Sequence, residues 1–142
     1  MEKKYKYVGC FVSQDLLFEK VNAFSGERLS KVIDEPHVTF SYRPAEVDET
    51  LFGTDIDVEV YAYGNDGVNE GVKVRLSTQN ETLSSAIADI SVPHITLSVS
   101  DEGKAVNTRL LEFAPIAPFP LAGVYGGYEL REEGDGGTPG DG

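Results

Sequence analysis

Apolar and polar residues alternate along several short segments of the chain, a pattern typical of β-strands with one buried face. Residues 5–13 carry apolar side chains on both faces, which predicts a strand in the middle of a sheet. Residues 56–63 and 71–76 alternate in step and predict a hairpin. Residues 64–71, between them, predict either a solvated turn or a longer loop that selects a ligand. Residues 121–130 predict the last strand.

Helices are expected between these strands. Apolar residues recur at helical spacing over residues 15–24, where Asp15 is placed to cap the first turn, and a second helical piece is expected over residues 27–32. The inward stripe of the first helix would consist of Leu17, Val21 and Phe24.

The second half of the chain repeats this order. Asn80 or Thr78 is placed to cap a helix that runs to Ala88, and residues 103–113 predict a further short helix, which a proline-rich stretch ends. Strands and helices in mixed order, together with a hairpin, predict an α+β class and not a doubly wound parallel sheet.

The two histidines of the chain lie in similar strings, Pro36-His37-Val38-Thr39 and Pro93-His94-Ile95-Thr96. Positions i and i+2 of a strand point to the same face, so each string directs an imidazole and a hydroxyl to one surface. A single His-x-Thr string is usually structural, whereas two that each follow a proline point to a shared role. Paired imidazoles and hydroxyls are the groups needed for acid–base attack on a phosphodiester.

The face that carries each histidine continues with hydroxyl groups, Ser41 after Thr39 and Ser98 after Thr96. The opposite face of each strand is apolar. We therefore expect each strand to have a core face and a hydroxyl-rich face that is open to water or a ligand. Each proline is expected at the start of its strand, where its missing N–H costs no ladder hydrogen bond.

Composition narrows the class of partner. The chain has 142 residues, a formal net charge of -12 and a pI near 4.4. This charge argues against binding to long duplex nucleic acid but leaves room for a small nucleotide in a locally favourable pocket. No stretch is suited to a membrane span or a signal peptide, so we expect a protein of the cytoplasm, of the cell or of an infected host. Residues 1–130 are expected to form one domain, and 131–142 a disordered, acidic, glycine-rich tail.

Other chemistries fit the residues less well. The single cysteine, Cys10, lies in an apolar strand, which disfavours a disulfide and an activated thiolate. A zinc site would need a third ligand from Asp34, Glu35 or Asp89, and the threonines would be unexplained. No cofactor or metal is therefore expected. The sequence contains neither a Gly-x-Ser-x-Gly string nor a Walker-type phosphate loop.

The strings His37-Val38-Thr39 and His94-Ile95-Thr96 resemble the paired His-x-Thr/Ser motifs of the 2H phosphoesterase superfamily, which includes LigT-like and cyclic-phosphodiesterase-like proteins. The resemblance covers residues 5–130 and is nearest to compact phage or bacterial members. It implies a duplicated, two-lobed fold in which antiparallel sheets line a central cleft, with helices outside.

The resemblance also implies a metal-independent phosphodiesterase that hydrolyses small cyclic or 2′,5′- or 3′,5′-linked nucleotides, with a cyclic oligonucleotide immune signal as one substrate class. Two alternatives stay open: an enzyme that acts on 2′,3′-cyclic phosphates at RNA ends, and a protein that sequesters a nucleotide without cleaving it. The sequence leaves the oligomeric state open.

In the predicted mechanism, one of His37 and His94 takes a proton from the nucleophile and the other protonates the departing oxygen. Thr39 and Thr96 would donate hydrogen bonds to the non-bridging phosphate oxygens. The sequence does not assign the two roles between the histidines.

Further candidates for substrate contacts are weaker. Ser41 and Ser98 extend the polar faces, and strand tyrosines could stack on a base, although ordinary packing explains them as well. The tyrosines considered are Tyr5, Tyr7, Tyr125 and Tyr128. Positive charge for a phosphate could come from Arg43, Lys73, Arg75 or Lys104.

Overall fold

The computed structural model of the protein describes residues 4–129. Within them, seven strands form one sheet in the order β2-β6-β5-β4-β7-β1-β3, and each neighbouring pair is antiparallel. The expected α+β class is thereby confirmed. The elements are β1 (Tyr5–Val12), α1 (Gln14–Asn22), β2 (Lys31–Val32), β3 (His37–Tyr42), a 3-10 helix (Glu49–Leu51), β4 (Asp55–Asn65), β5 (Asn69–Ser77), α2 (Glu81–Ala88), β6 (His94–Val99), a second 3-10 helix (Ala105–Leu110) and β7 (Ala114–Glu129).

Two further expectations concern the C-terminal tail and membrane-spanning segments. The tail over 131–142 lies outside the described residues. Among residues 4–129, no helix is long and apolar enough to cross a membrane.

The first strand occupies an inner position, as its two apolar faces predict. β1 hydrogen-bonds to β7 on one side and to β3 on the other, and all its side chains except Phe11 are buried. This strand therefore fixes the position of β3, which carries the first histidine.

The N-terminus of α1 is capped by Ser13 and not by Asp15. The Ser13 hydroxyl accepts a hydrogen bond from the backbone N–H of Leu16 at 3.3 Å. Asp15 already lies in the first helical turn, where its negative charge still interacts favourably with the helix dipole.

The inward face of α1 is shorter than predicted. Leu17 and Val21 are fully buried, but the helix ends before Phe24, which is 45% exposed. The prediction of a second helix over residues 27–32 is wrong, because the end of this segment forms β2 along the edge of β6. Pairing with an exposed strand edge decides the conformation of this segment.

The hairpin of β4 and β5 is confirmed, but its connection is tighter than the sequence indicates. Most of residues 64–71 belong to the strands, so the structure has the solvated turn and not the longer loop that was the other alternative. The Asp66 carboxylate accepts the backbone N–H groups of Val68 and Asn69 at 2.9 and 2.8 Å. Gly67 adopts φ of 84°, which favours glycine.

The helix after this hairpin begins where the sequence predicts. Asn80 caps α2 by accepting the backbone N–H of Leu83 at 2.9 Å, and the Leu83 side chain is buried. The short helix expected over 103–113 is a 3-10 helix at Ala105–Leu110. We call it the covering turn, because the Thr108 hydroxyl lies 2.8 Å from that of Thr96 in β6.

The last strand begins at Ala114, well before the expected residue 121, and includes three prolines (Pro115, Pro118 and Pro120). Residues 114–124 pair with β4, whereas pairing with β1 begins only at Gly123. The proline-containing half therefore has one hydrogen-bonded neighbour. Prolines are tolerated there because their missing N–H groups can face the unpaired side.

The sheet bends until its two ends approach each other. Residues of β3 and β6 come within 8 Å, Cα to Cα, although four strands lie between them in the sheet. The chain between β2 and β3 bridges the gap, since Ile33 N donates to Leu97 O at 3.0 Å and Val12 N donates to Pro36 O at 3.1 Å. The two histidine strands therefore lie close together.

The hydrophobic core consists of buried strand residues together with Leu17 and Val21 of α1 and Leu83 of α2. The strand residues include Val8, Cys10, Val38, Val58, Val60, Val72, Val74, Ile95 and Leu97. In β3 and β6 these are the residues that alternate with the histidines and threonines, as the sequence pattern predicts.

Candidate active site

Both imidazoles are held by the same local hydrogen bond. His37 Nδ1 lies 2.9 Å from the carbonyl oxygen of Glu35, and His94 Nδ1 lies 2.7 Å from that of Val92. A carbonyl oxygen only accepts, so Nδ1 carries the proton in each bond. In the neutral ring, Nε2 then holds the lone pair that can accept a proton from another group.

The prolines before the histidines also have matching contacts. Val12 N donates to Pro36 O, and Val74 N donates to Pro93 O, both at 3.1 Å. Each proline precedes the first residue of its strand, as predicted, and each contributes its carbonyl to the neighbouring strand. These bonds fix the point at which each histidine enters the sheet.

A glycine faces the threonine of each motif. Gly9 is paired with Thr39 and Gly71 with Thr96, and each glycine lies beside a register shift. A Cβ atom on Gly9 would lie 2.0 Å from the carbonyl oxygen of Val38, and one on Gly71 would lie 2.8 Å from that of Ile95. The central residue of each motif therefore approaches the neighbouring backbone too closely for any side chain.

Sequence reasoning missed the role of these glycines. The available signal was an isolated glycine within an apolar strand pattern, which indicates a bulge or a close backbone approach. The sequence could not pair each glycine with a threonine, because that pairing depends on strand register.

Around the first motif, aromatic rings surround the imidazole. The His37 ring stacks on Tyr7 at 4.1 Å between centroids and 13° between planes, and the Phe11 ring lies 5.5 Å away. The Tyr128 ring also stacks on Tyr7, with 5.3 Å between centroids. These rings fix the orientation of His37, which is only 3% exposed.

A cavity of about 300 Å³ opens beside His37. Tyr7, Tyr128, residues 31–35 and Val99 of β6 contribute to its wall, together with Lys6. This volume is at the lower end of the range for small-ligand sites. Lys6 and Lys31 bring positive charge to the wall, and Asp34 and Glu35 bring negative charge.

The second motif is more enclosed. Thr96 is 3% exposed, and its hydroxyl donates to the Ala105 carbonyl at 3.2 Å and contacts the Thr108 hydroxyl at 2.8 Å. Asn69 Nδ2 donates to the same Thr108 hydroxyl at 3.0 Å. The covering turn therefore encloses Thr96, and the hydroxyl-rich face expected to be open is closed here.

Ser98 also differs from its predicted role in substrate binding. It is fully buried, accepts the Leu29 backbone N–H at 2.9 Å and donates to a Glu70 carboxylate oxygen at 2.7 Å. Glu70 forms an ion pair with Arg28 at 3.1 Å and accepts a hydrogen bond from Tyr63. Ser98 therefore joins residues 28–29 to the sheet and is enclosed by protein groups.

Among residues 4–129, no aromatic ring stacks on His94 as Tyr7 stacks on His37. The Nε2 atom of His94 is buried and has no hydrogen-bond partner among residues 4–129. Burial lowers the pKa of His94 below 6.5, and the positive charge of Arg109 lowers it further, although the bond to Val92 O acts in the opposite direction. His94 is therefore neutral at pH 7, with an available lone pair on Nε2.

The remaining candidates fall at different places. Ser41 is exposed at the outer end of β3. Tyr128 lines the cavity, whereas Tyr125 is buried beside Phe40 and Phe52, so the expectation that Tyr125 stacks on a base is corrected. Tyr5 is buried as well and donates a hydrogen bond to Glu49.

The candidate cations differ in availability. Arg75 forms the predicted pair with Glu59 at 2.7 Å and covers the Tyr61 ring. Lys73 lies directly opposite His94 in the β5–β6 register, with its Nζ over the Phe113 ring. Of Arg75 and Lys73, Lys73 is the residue that lies beside a His-x-Thr motif, the one that contains His94.

The cysteine and the proposed metal ligands have clear positions. Cys10 is buried in the core, where desolvation raises the pKa of its thiol to about 12, so it is not an activated nucleophile. Among residues 4–129, no three His, Cys, Asp or Glu side chains form a group that could hold a metal ion.

Comparison with known proteins adds no family assignment. No protein-family model matches the chain, and no curated protein matches it significantly.

Proposed function

We propose that the protein is a metal-independent phosphodiesterase of the 2H type, in which His37 and His94 act as the acid–base pair. The observation that carries this proposal is the identical Nδ1 bond at the two motifs, to Glu35 O and to Val92 O. Two imidazoles with the same fixed tautomer, on strands that approach within 8 Å, are suited to paired proton transfers.

The matched surroundings of the motifs support the further proposal of a duplicated fold. In each half, a strand (β1 or β5) leads through a helix to an antiparallel histidine strand (β3 or β6) at its side. In each half a glycine opposes the threonine, and a proline carbonyl accepts an N–H from the neighbouring strand. A cleft between two such halves is the arrangement that the resemblance to 2H phosphoesterases implies.

In the proposed reaction, one imidazole takes a proton from water or from a ribose 2′-hydroxyl, and this oxygen attacks phosphorus. The bond to the leaving oxygen breaks as the other histidine, which enters the reaction as an imidazolium protonated on both nitrogens, donates its Nε2 proton to that oxygen. His94, neutral at pH 7 with its lone pair on Nε2, is suited to the base role. Each proton transfer contributes about 10²- to 10⁴-fold to the rate.

The substrate class that we propose is a small nucleotide. The cavity beside His37 combines stacked aromatic rings with the lysines Lys6 and Lys31, which suits a base and a phosphate. The overall charge of -12 opposes a long nucleic acid, because phosphate neutralisation requires an extended basic surface. Cyclic oligonucleotides, 2′,5′-linked oligoadenylates and 2′,3′-cyclic phosphates all satisfy these conditions.

The test is product analysis by chromatography after the purified protein is incubated with a nucleotide panel in EDTA. The panel contains 2′,3′-cyclic mononucleotides, cyclic di- and trinucleotides, 2′,5′-oligoadenylate and ADP-ribose cyclic phosphate. We expect cleavage of at least one member, with loss of about 10²-fold or more in both His37→Ala and His94→Ala. The proposal also predicts a bell-shaped pH–rate profile.

Glu19→Gln, on the exposed face of α1, serves as the matched control and should retain wild-type activity. Activity that survives His94→Ala, or that disappears in EDTA, would contradict the two-histidine mechanism.

A nucleotide-binding protein without catalysis is the second candidate. One observation favours it: the Thr96 hydroxyl is engaged by Ala105 and Thr108, so it does not face a ligand as the catalytic mechanism predicts. Retention of an unaltered nucleotide in stoichiometric amount, with no product from any panel member, would select this candidate.

A further inference from the structure

The enclosed hydroxyl of Thr96 raises the question of which group meets a phosphate beside His94. Thr96 directs its hydroxyl to the covering turn, where Ala105 O and the Thr108 hydroxyl are its partners. The next residue of that turn, Arg109, is exposed, and no ion pair or hydrogen bond engages its guanidinium within residues 4–129. The turn that encloses Thr96 thus carries an exposed cation at the residue after Thr108.

The position of the covering turn is firmly determined. Thr108 is buried and bonded to both Thr96 and Asn69, and the Asn69 amide also donates to the Lys104 carbonyl at 2.7 Å. The Thr108 methyl group lies over Gly71, where a Cβ atom would approach it to 2.3 Å. Gly71 is therefore needed for the turn to reach β6.

Two cations beside the second motif point to an anion. Lys73 lies opposite His94 in the register, and Arg109 follows Thr108, whose hydroxyl lies 2.8 Å from that of Thr96 in the same strand as His94. The positive charge of Arg109 also lowers the pKa of His94. A phosphate oxygen would satisfy both cations, and guanidinium groups bind phosphate through paired charge-assisted hydrogen bonds.

Resting on the proposed function, we infer that Arg109 binds a phosphate group of the substrate beside His94, and that Thr96 is a positioning residue that acts through the covering turn. Thr96 fixes Thr108, Thr108 fixes the turn, and the turn presents the guanidinium. In this arrangement an arginine takes the place of the direct threonine contact at the second motif.

The first experiment measures kcat and KM for the panel member that the wild-type protein cleaves. Arg109→Gln should lower kcat/KM by roughly 10- to 100-fold, the effect of losing a charge-assisted hydrogen bond, and Arg109→Lys should recover part of it. Lys20→Gln removes the same charge from the exposed last turn of α1 and should change kcat/KM less than about twofold. Equal losses in Arg109→Gln and Lys20→Gln would show a general charge effect and overturn the assignment.

The second experiment separates this inference from the proposed function. Inorganic phosphate and adenosine 3′-monophosphate are titrated into wild-type protein, Arg109→Gln and Lys20→Gln, and NMR signals of the His94 ring report binding. A protein that cleaves no panel member but loses phosphate binding only in Arg109→Gln would refute the phosphodiesterase and support the site. Equal phosphate affinity in wild-type protein and Arg109→Gln would overturn the site, whatever the activity.

The role of Thr96 is tested by combining substitutions. If Thr96 acts through the turn, Thr96→Val in the Arg109→Gln background should cause little further loss of kcat/KM, because the two residues serve one contact. Thr96→Ser should retain activity, since it keeps the hydroxyl bonded to Thr108. Fully additive losses in the double variant, in protein whose thermal unfolding shows that it is folded, would show instead that Thr96 contacts the phosphate directly.

Discussion

The two His-x-Thr strands share a backbone framework but differ in what covers them. In β3, the His37 ring stacks on Tyr7 beside a cavity, and Ser41 at the outer end is exposed. In β6, Thr96 and Ser98 are closed off by the covering turn and by the Glu70 network. The framework sets the imidazole geometry, whereas the segments that pack on each strand decide which groups can meet a ligand.

The two histidines also differ in the contacts that hold their rings. The His37 ring stacks on Tyr7 and lies near Phe11, and these contacts fix its plane. Among residues 4–129, His94 has no such ring contact; its Nδ1 is bonded to Val92 O, and the charge of Arg109 lowers its pKa. Ring stacking is therefore an additional constraint on the first imidazole.

The largest effect is expected from substituting the glycines that face the threonines of the two motifs, a feature that both halves share. Gly9→Ala should destabilise the fold by about 3 kcal/mol, because its Cβ would collide with the backbone of Val38. Gly71→Ala should cost about 2 kcal/mol, since its Cβ would approach the backbone oxygen of Ile95 to 2.8 Å, less closely than the 2.0 Å at Gly9, and would also meet the Thr108 methyl group at 2.3 Å. Urea unfolding at equilibrium measures both.

Gly26→Ala is the control for the glycine variants, because a Cβ atom there meets nothing within 4 Å. Its stability should be unchanged or slightly raised through the reduced entropy of the unfolded chain. A Gly9→Ala protein as stable as Gly26→Ala would show that the close approach of β1 and β3 is not a constraint.

The next prediction compares the loss of stability caused by removing a serine hydroxyl at equivalent positions of the two strands. Ser98→Ala should lower the free energy of unfolding by about 1.5–3 kcal/mol, because it removes a buried hydrogen bond to the Glu70 carboxylate. Ser41→Ala, at the exposed counterpart, should stay within about 0.5 kcal/mol of wild type. Similar losses in the two variants, measured by thermal unfolding, would mean that the halves are equally enclosed.

The smallest effect concerns His94 and pH. Since the folded pKa of His94 lies below its ordinary value of 6.5, the unfolded chain binds more protons between these two pKa values. The contribution of His94 to stability is therefore complete above pH 6.5 and decreases as the pH falls through this interval. The loss of stability between pH 7.5 and 5.5 should be smaller in His94→Gln than in wild type, and an equal loss would contradict the lowered pKa.

Prediction from sequence succeeded where one local pattern was sufficient. The alternation in residues 37–42 and 94–99 correctly predicted both histidine strands and their core faces, and the apolar faces of residues 5–13 predicted the inner strand. It failed at residues 27–32 and 114–120, where pairing with a distant strand decides the conformation. Helical spacing and proline content report local preference, and neither contains information about which strand edge is available.

The features of the candidate site also fall into two groups, those that the sequence determines and those that depend on the tertiary structure. The sequence by itself determined the two His-x-Thr strings, the side of each strand that they occupy and the prolines that precede them, because strand alternation and proline geometry act over neighbouring residues. Only the tertiary structure decided that Gly9 and Gly71 face the threonines, that Thr96 is covered and that the turn carrying Arg109 packs on the second histidine strand. Those contacts join residues far apart in the chain, and their geometry depends on register and on the bending of the whole sheet.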